Sequence, residues 1–260
     1  MQTQTTSGTQ RIHILTTPID CLTMGETIAQ IEDAIKSKTQ IHHTVVNAGK
    51  IVLMQEDQEL HKSVVSSDII NADGQAVVWA SKILKQPLPE RVAGIDLMQK
   101  LVEISAKKTY TIFFFGAKEE IVKAVVDKYT DLYGAEIVAG YRNGYYSKED
   151  EESIAQQISN SNANILFVAI SSPKKENFLY KYKDQLANIN FIMGVGGSFD
   201  VVAGKVKRAP VWMQKIGMEW FYRFAQEPRR MWKRYTVGNY KFIKLVFKEK
   251  FSPSPKSNVS

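Results

Sequence analysis

Short apolar runs alternate with longer amphipathic stretches along most of the chain, and this alternation predicts the order of its strands and helices. Runs such as TIFFFG and ILFVAI are apolar on both faces, as expected of strands buried between helices in a parallel sheet. The predicted strands are 43–46, 68–71, 110–115, 136–139, 164–170 and 190–195. The predicted helices are 50–64, 75–84, 95–107, 118–133, 148–159 and 174–186. The pattern predicts an α/β fold, with a Rossmann-like, mostly parallel sheet sandwiched by helices.

After residue 209 the strand signal stops, and the remaining sequence predicts helices. On a helical wheel of residues 229–248, the Lys and Arg side chains share one arc of about 140°, and apolar side chains take the opposite arc. This predicts one basic amphipathic helix, or two helices broken near Gly238. Two interpretations stay open: a docked helix with a solvated charged face, or an element that binds a membrane surface or phosphate.

These patterns predict four segments. They are a flexible tail at 1–10, an α/β domain at 11–203, a helical basic appendage at 204–251 and a second flexible tail at 252–260. A composition of 44% hydrophobic and 23% charged residues excludes disorder and a collagen-like fibre. The lone Cys21 excludes an internal disulfide, and no apolar run suits a signal peptide or a membrane span. We therefore expect a cytoplasmic protein that does not cross a membrane.

Charge is distributed unevenly along the chain. Residues 204–260 contain 14 Lys and Arg against three acidic residues, or +11, which leaves −4 on residues 1–203. Three of the four tryptophans lie in the same basic segment. A basic, aromatic end on an acidic body indicates contact with a polyanion or an anionic membrane surface.

Residues that directly follow the predicted strands are the first candidates for chemistry, because ligands of open α/β sheets bind beyond the carboxyl ends of the strands. Asn47, Asp73, Gly116 and the stretch GVGGSFD, 194–200, occupy such places. Asp73-Gly74 is primarily a turn signal, and its alternative role is a general base that accepts a proton from a substrate hydroxyl. The glycine-dense stretch suits a close approach of backbone N–H groups to a diphosphate, but it matches no standard nucleotide-binding fingerprint.

The sequence predicts neither a metal ion nor a cofactor. Its four histidines have no metal-ligand spacing, and no Asp-x-Asp pair is present to hold a divalent cation against a nucleotide-sugar diphosphate. If a diphosphate leaves during the reaction, Arg, Lys and backbone N–H groups must therefore stabilise it.

The segment from Gly194 to Tyr235 resembles the signature of the WecG/TagA/CpsF family of bacterial glycosyltransferases. It carries G-V-G-x-x-F-D, A-G, R-A-P-x-W-M, G-x-E-W-x-Y-R and E-P-R-R in the family's order and spacing. Upstream, NADGQAVVWA, RVAGIDLM and YRNGYY resemble further family blocks, so the resemblance covers roughly residues 12 to 245.

The resemblance implies an inverting, metal-independent glycosyltransferase at the cytoplasmic membrane face. Its donor would be a UDP-sugar carrying N-acetylmannosamine, its uronic acid, or glucose. Its acceptor would be a sugar linked to undecaprenyl diphosphate, for cell-surface polysaccharide synthesis. The implied partners are these two substrates and an anionic membrane surface, with no nucleic acid and with a possible homo-oligomer.

The resemblance also implies roles for individual residues. Asp73 matches the family's proposed base. The residues expected to bind the donor, from the family blocks and the strand ends, are Asn47, Arg91, Asp96, Gly116, Lys175, Glu176, Gly196 and Asp200. The residues expected to bind the acceptor diphosphate are Arg223, Arg230 and Lys233.

At two places the sequence departs from the family pattern. Relatives commonly carry G-x-P-K-Q-E after the fifth strand, whereas this chain reads Ser171-Ser172-Pro173-Lys174-Lys175-Glu176, which puts Lys175 where relatives have a pocket Gln. A Thr usual two residues before the pocket Asn is replaced by Val45. These departures predict a changed donor sugar or a changed pattern of sugar contacts.

Two other classes of protein fit parts of the sequence. A nucleic-acid-binding protein would use the basic, aromatic end, but the segregation of charge onto one helical arc favours a membrane. A catalytically silent scaffold would use the same fold to dock partner glycosyltransferases.

Overall fold

The structure is a computed structural model that describes residues 9–252, with all their side chains except those of residues 230, 231 and 233–235. Its strands are β1 (Arg11–Ile14), β2 (Thr17–Asp20), β3 (Ile41–Val46), β4 (Ile69–Ala72), β5 (Ile112–Gly116), β6 (Val138–Arg142), β7 (Ile165–Ala169) and β8 (Phe191–Gly194). Strands β3 to β8 form one parallel sheet in the order β4-β3-β8-β7-β5-β6. Strands β1 and β2 form a separate antiparallel hairpin.

Helices connect the strands and cover both faces of the sheet. In the body they are α1 (Met24–Ser37), α2 (Ala48–Met54), α3 (Gln58–Val65), α4 (Gln75–Ile83), α5 (Gly94–Lys108), α6 (Glu119–Tyr133), α7 (Glu151–Asn160), α8 (Lys174–Lys181) and α9 (Ser198–Val202). The C-terminal segment adds α10 (Val211–Lys215), α11 (Glu219–Gln226), α12 (Pro228–Trp232), a π-helical stretch (Lys233–Gly238) and α13 (Asn239–Phe251).

The central strands are apolar on both faces because helices pack on each side. Phe114 and Phe167 point into a cluster with apolar residues of α1, α5, α6 and α9. Their neighbours Phe113, Phe115 and Leu166 point the other way, into a cluster with α7 and α8. All residues of β5 and β7 are buried, so the parallel, doubly covered sheet predicted from these runs is confirmed.

The six strands predicted from the sequence match β3 to β8, but the helix predicted at 50–64 is wrong as one element. It is divided into α2 and α3, because Asp57 accepts a hydrogen bond from the N–H of Leu60 at 2.9 Å and begins a new helix. The hairpin β1–β2 and helix α1 were not predicted. A signal for α1 was present, since Thr23 and Glu26 form a reciprocal capping box at its start.

The C-terminal helices pack against the body. Phe242 and Val246 of α13 are each 2% exposed and join a core cluster with Ile51 of α2 and Val77 of α4. Glu249 also accepts a hydrogen bond from the N–H of Leu15 at 2.8 Å. The wheel of 229–248 is interrupted by the π-helical stretch, which ends at the predicted break near Gly238. Helices α10 to α13 and the π-helical stretch lie within residues 204–251, and α13 shares its apolar side with the α/β body.

Candidate active site

A cleft of about 1860 Å³ lies at the carboxyl edge of the parallel sheet. Its lining includes Asn47 after β3, Asp73 after β4, Ser171 after β7 and Gly196 after β8. Residues of the C-terminal segment, among them Arg223, line it as well. Strands β4, β3, β8 and β7 are neighbours in this order, so their carboxyl ends bring residues distant in sequence into one site.

Asp73 is half-buried in this cleft, between β4 and α4. Its backbone N–H donates to Val46 O at 2.9 Å, which continues the pairing of β4 with β3. Its Oδ1 accepts a hydrogen bond from the N–H of Gly94 at 3.1 Å, at the first residue of α5. The N-terminus of a helix favours a negative charge, so α5 holds the carboxylate in place. Asp73 thus terminates a strand, as its turn signal indicated, and also presents a carboxylate to the cleft.

Asn47 lies beside Asp73 and has a structural task of its own. Its Oδ1 accepts from the N–H of Lys50 at 3.1 Å and caps α2. A Cβ at Gly74 would lie 3.2 Å from Cβ of Asn47, so the loops after β3 and β4 pack closely. The side chain predicted to bind the donor therefore lines the cleft and also fixes the start of α2.

Three charged side chains lie at the floor of the cleft and form what we call the floor cluster: Lys175 and Glu176, which are buried, and Lys50, which is partly buried. Lys50 Nζ donates to Glu176 Oε1 at 2.8 Å, and Lys175 Nζ donates to the same oxygen. Lys50 and Lys175 line the cleft, whereas Glu176 is 3% exposed. Burial and the neighbouring Lys50 ammonium lower the pKa of Lys175 to about 8. Burial alone would raise the pKa of Glu176, but Lys50 and Lys175 hold it far below its ordinary value.

The glycine-dense loop after β8 forms another wall of the cleft. Gly196, Gly197 and Asp200 line it, and Gly196 has φ +53°, a conformation that glycine adopts without strain. A Cβ at Gly197 would lie 2.5 Å from Nη2 of Arg223, so the guanidinium rests against this loop. The loop predicted to approach a diphosphate is therefore covered by one of the arginines predicted to bind the acceptor.

An ion-pair network joins the C-terminal segment to the body at the cleft. Arg208 donates to both oxygens of Asp96, at 2.6 and 2.8 Å, and its Nε donates to Glu219 Oε1 at 3.2 Å. Arg91 donates to Glu219 Oε2 at 3.2 Å. Arg91 and Asp96 were both predicted to bind the donor. Arg91 lines the cleft. Asp96 is not among the lining residues, and its carboxylate accepts hydrogen bonds from Arg208, which does line the cleft.

The remaining predicted site residues differ in where they lie. Gly116 turns the chain after β5 with φ +123°, and a Cβ there would lie 2.5 Å from Ala169 O. Among the described residues it is the following Ala117, rather than Gly116, that lines the cleft. The side chains of Arg230 and Lys233 lie outside the described part of the chain.

Apolar side chains surround the mouth of the cleft. On the body, Leu53 and Trp79 are exposed and line it. On the C-terminal segment, Tyr240, Ile243 and Phe247 do the same, and Phe247 is 43% exposed. Exposed apolar residues that cluster around a cleft mark an interaction surface for a protein, a ligand or a membrane.

Sequence reasoning missed Lys50, Arg208 and Glu219. Lys50 follows the predicted pocket residue Asn47 by three positions, and this spacing on a helix places it at the same end of the sheet. Arg208 and Glu219 lie within the family blocks R-A-P and G-x-E-W, but their partners are far away in the sequence. Separations of 126 residues for Lys50 and Glu176 and 112 for Arg208 and Asp96 leave no local signal of pairing.

No group of three or more His, Cys, Asp or Glu side chains is placed to hold a metal ion in residues 9–252. Within the same residues, no helix combines the length and the apolar character that crossing a bilayer requires.

The fold and the cleft define an α/β protein of the Rossmann-like class with a cation-lined binding site at the carboxyl edge of its sheet. The family model described as "Glycosyl transferase WecG/TagA/CpsF family" matches residues 12–256. The chain therefore belongs to this family and is a glycosyltransferase, as the motifs in its sequence indicated.

Two curated relatives carry the same description, N-acetylglucosaminyldiphosphoundecaprenol N-acetyl-beta-D-mannosaminyltransferase. The one from Bacillus subtilis is 37% identical over 208 residues, covering 78% of this chain and 79% of the relative. The one from Bacillus spizizenii is 36% identical over 198 residues, covering 75% of each.

Proposed function

We propose that this protein transfers a sugar of the N-acetylmannosamine type from a UDP donor to a sugar linked to undecaprenyl diphosphate, in the synthesis of a cell-surface polysaccharide. The names of both relatives support this donor sugar and this class of acceptor. The observation that carries the proposal is the position of Asp73, a carboxylate that directly follows the edge strand β4 and lines a cleft with Lys and Arg side chains. A transferase of this kind needs one base and several anion-binding groups in one site.

In the proposed reaction the acceptor hydroxyl attacks the anomeric carbon of the donor sugar, and its proton passes to Asp73. The new bond joins the acceptor oxygen to the anomeric carbon, while the bond from that carbon to the UDP oxygen breaks. Because UDP leaves from the face opposite the attack, the anomeric configuration is inverted. Holding both substrates in line in one cleft contributes orientation in addition to proton transfer.

The leaving diphosphate is stabilised, in this proposal, by the protein's own donors. Arg91, Arg208 and Arg223 line the cleft, and the loop at Gly196 and Gly197 leads into the N-terminus of α9. A guanidinium binds phosphate oxygens in a bidentate way, and backbone N–H groups at a glycine-rich turn approach them closely. In the proposed step these groups stabilise the negative charge that develops on the leaving UDP, and the step uses no metal ion.

The acceptor's lipid chain would leave through the apolar mouth of the cleft. Tyr240, Ile243 and Phe247 place exposed apolar surface there, and the basic C-terminal segment adds attraction for anionic lipid. We therefore propose peripheral attachment to the inner face of the cell membrane. The lipid diphosphate would enter beside Arg223, with Arg230 and Lys233 as further proposed contacts.

Replacing Asp73 with Asn tests the proposed base. The Asn keeps an oxygen that accepts from Gly94 N–H, so the fold and UDP binding should persist, while turnover falls by about 10²- to 10⁴-fold. The assay is release of UDP from UDP-N-acetylmannosamine in the presence of a lipid diphosphate-linked N-acetylglucosamine acceptor.

Asp33→Asn is the matched control, because Asp33 is 80% exposed on α1. Near-normal turnover by Asp73→Asn would remove Asp73 from the mechanism. If the unaltered protein released no UDP, the scaffold interpretation would replace the enzymatic one.

A further inference from the structure

The floor cluster carries more positive than negative charge. Lys175 and Glu176 are 5% and 3% exposed, and the side chain of Lys50 is 9% exposed. Two ammonium groups therefore share one carboxylate in a buried setting. The cost of burying a charge is high unless an opposite charge or strong hydrogen bonds compensate it.

The hydrogen bonds in the cluster are also unevenly distributed. Lys50 Nζ has three oxygen partners, which are Glu176 Oε1, Val45 O at 2.7 Å and Thr44 Oγ1 at 3.5 Å. Lys175 Nζ, among the described residues, has Glu176 Oε1 as its one hydrogen-bond partner. Glu176 Oε2 is buried with no hydrogen-bond partner in the same part of the chain. An ammonium has three donors, so Lys175 retains hydrogen-bonding capacity directed at the cleft that it lines.

The neighbouring histidines do not change the charge of the floor cluster at neutral pH. Burial lowers the pKa of His42 to about 3 and that of His43 to about 4, so both are neutral. The surplus positive charge of the cluster therefore belongs to the two lysines, and Lys50 is already saturated by its oxygen partners.

The backbone is shaped to let Lys175 reach this position. A Cβ at Gly194, the last residue of β8, would lie 2.5 Å from Cδ of Lys175. The lysine side chain thus occupies the space above a glycine at the carboxyl end of a central strand. Strands β8 and β4 are separated only by β3, and Lys175 and Asp73 both line the cleft at the carboxyl edge of the sheet.

We propose that Lys175 binds an oxyanion of the donor. The inference rests on the proposed function, since it takes the donor to be a UDP-sugar. The oxyanion has two possible sources in such a donor, the diphosphate itself or a carboxylate on the transferred sugar. Either source would bring a negative charge and hydrogen-bond acceptors to Lys175, whose positive charge the single carboxylate of the floor cluster only partly balances.

Lys175→Gln tests the inference, with the dissociation constants of three probes measured by calorimetry. The probes are UDP, UDP-N-acetylmannosamine and UDP-N-acetylmannosaminuronic acid. Loss of a charge-assisted hydrogen bond should weaken the affected probes by about 10- to 100-fold. Weakening of all three probes assigns the diphosphate as the source, and selective weakening of the uronic acid form assigns the sugar carboxylate.

Two further measurements keep the outcome clear. Removing the Lys175 ammonium leaves one positive charge, on Lys50, against the one carboxylate of Glu176. The melting temperature of the ligand-free variant should therefore not fall. This measurement separates a loss of binding from a loss of folding. Lys181→Gln is the matched control, because it removes an exposed lysine from the same helix.

Unchanged affinities for all three probes in Lys175→Gln would overturn the inference while leaving the proposed function intact. If the unaltered protein bound none of the probes, the proposed function would fail, and the inference with it.

Discussion

At the scale of single residues, β3 carries two adjacent histidines that are almost completely buried. His43 Nε2 lies 2.9 Å from Asn71 Oδ1, and the backbone N–H of His42 donates to Asp68 Oδ2 at 2.8 Å. Burial lowers the pKa of both rings, and for His42 the ammonium groups of Lys183 and Lys175 lower it further. The folded protein thus holds both rings neutral where an unfolded chain would protonate them.

Acid should therefore destabilise the protein as the pH falls below about 6.5, the ordinary pKa of histidine. Between about pH 6.5 and pH 4 the unfolded state binds protons that the folded state does not. The stability contributed by the neutral histidines is therefore fully present above this window and is lost as the pH falls through it. For His43 alone the loss is on the order of 3 kcal/mol by pH 4. Urea unfolding at several values from pH 7 to pH 4.5 measures this slope.

His43→Gln should make the slope shallower, since Gln does not titrate. His13→Gln is the control, because His13 is exposed and should leave the slope unchanged. A slope that does not respond to His43→Gln would contradict the assignment.

At the scale of elements, Arg208 joins three parts of the chain. It connects the loop before α10 to Asp96 on α5 and to Glu219 at the first residue of α11. Since Glu219 also accepts from Arg91, one guanidinium holds the C-terminal segment against the body at the edge of the cleft. These four side chains are 17–33% exposed, so water screens them less than surface ion pairs.

Arg208→Ala should release α11 from α5. We expect a loss of about 1–3 kcal/mol in the free energy of unfolding, from the lost charge-assisted hydrogen bonds, and faster hydrogen exchange in α11. Lys241→Ala removes an exposed pair with Glu56 and serves as the control, with an expected loss below about 1 kcal/mol. Equal exchange rates in α11 of the Arg208 variant and the unaltered protein would show that the network does not hold the helix.

The elements also show what the sequence could predict. Strands β5 and β7 were found because every residue in them is apolar, a signal that follows directly from coverage on both faces. The break between α2 and α3 was missed because it depends on one side-chain cap at Asp57. At the site, Asn47, Asp73 and Gly196 were predicted because they follow strands. Lys50 and Arg208, the distant partners of Glu176 and Asp96, were not predicted, because those contacts depend on packing between segments far apart in sequence.

At the scale of the whole molecule, the basic C-terminal segment also carries part of the apolar mouth of the cleft. Ile243 and Phe247 are 53% and 43% exposed, although α13 buries its neighbours Phe242 and Val246 against the body. One helix thus has one side in the core and another side that is exposed and accessible to a partner outside the protein.

Ile243→Ser combined with Phe247→Ser tests whether that partner is a membrane. Binding to vesicles of phosphatidylglycerol and phosphatidylcholine should weaken by at least about tenfold, since apolar contact with the bilayer is lost. Stability should change little, because the core positions of α13 are kept.

Leu132→Ser is the matched control, because Leu132 is 59% exposed near the end of α6, which runs away from the carboxyl edge of the sheet. Sedimentation with vesicles measures the effect. Unchanged binding by the double variant would assign the apolar mouth to another partner.

The joint core of α13 with α2 and α4 limits how this enzyme can be re-engineered. Exchanging its last fifty or so residues for those of a relative would leave Phe242 and Val246 without their matching neighbours, or force foreign side chains against Ile51 and Val77. A working hybrid would have to transplant the helices that follow Asn47 and Asp73 together with the tail. Under the proposed function, acceptor preference and the surroundings of Asp73 would consequently be inherited as one unit.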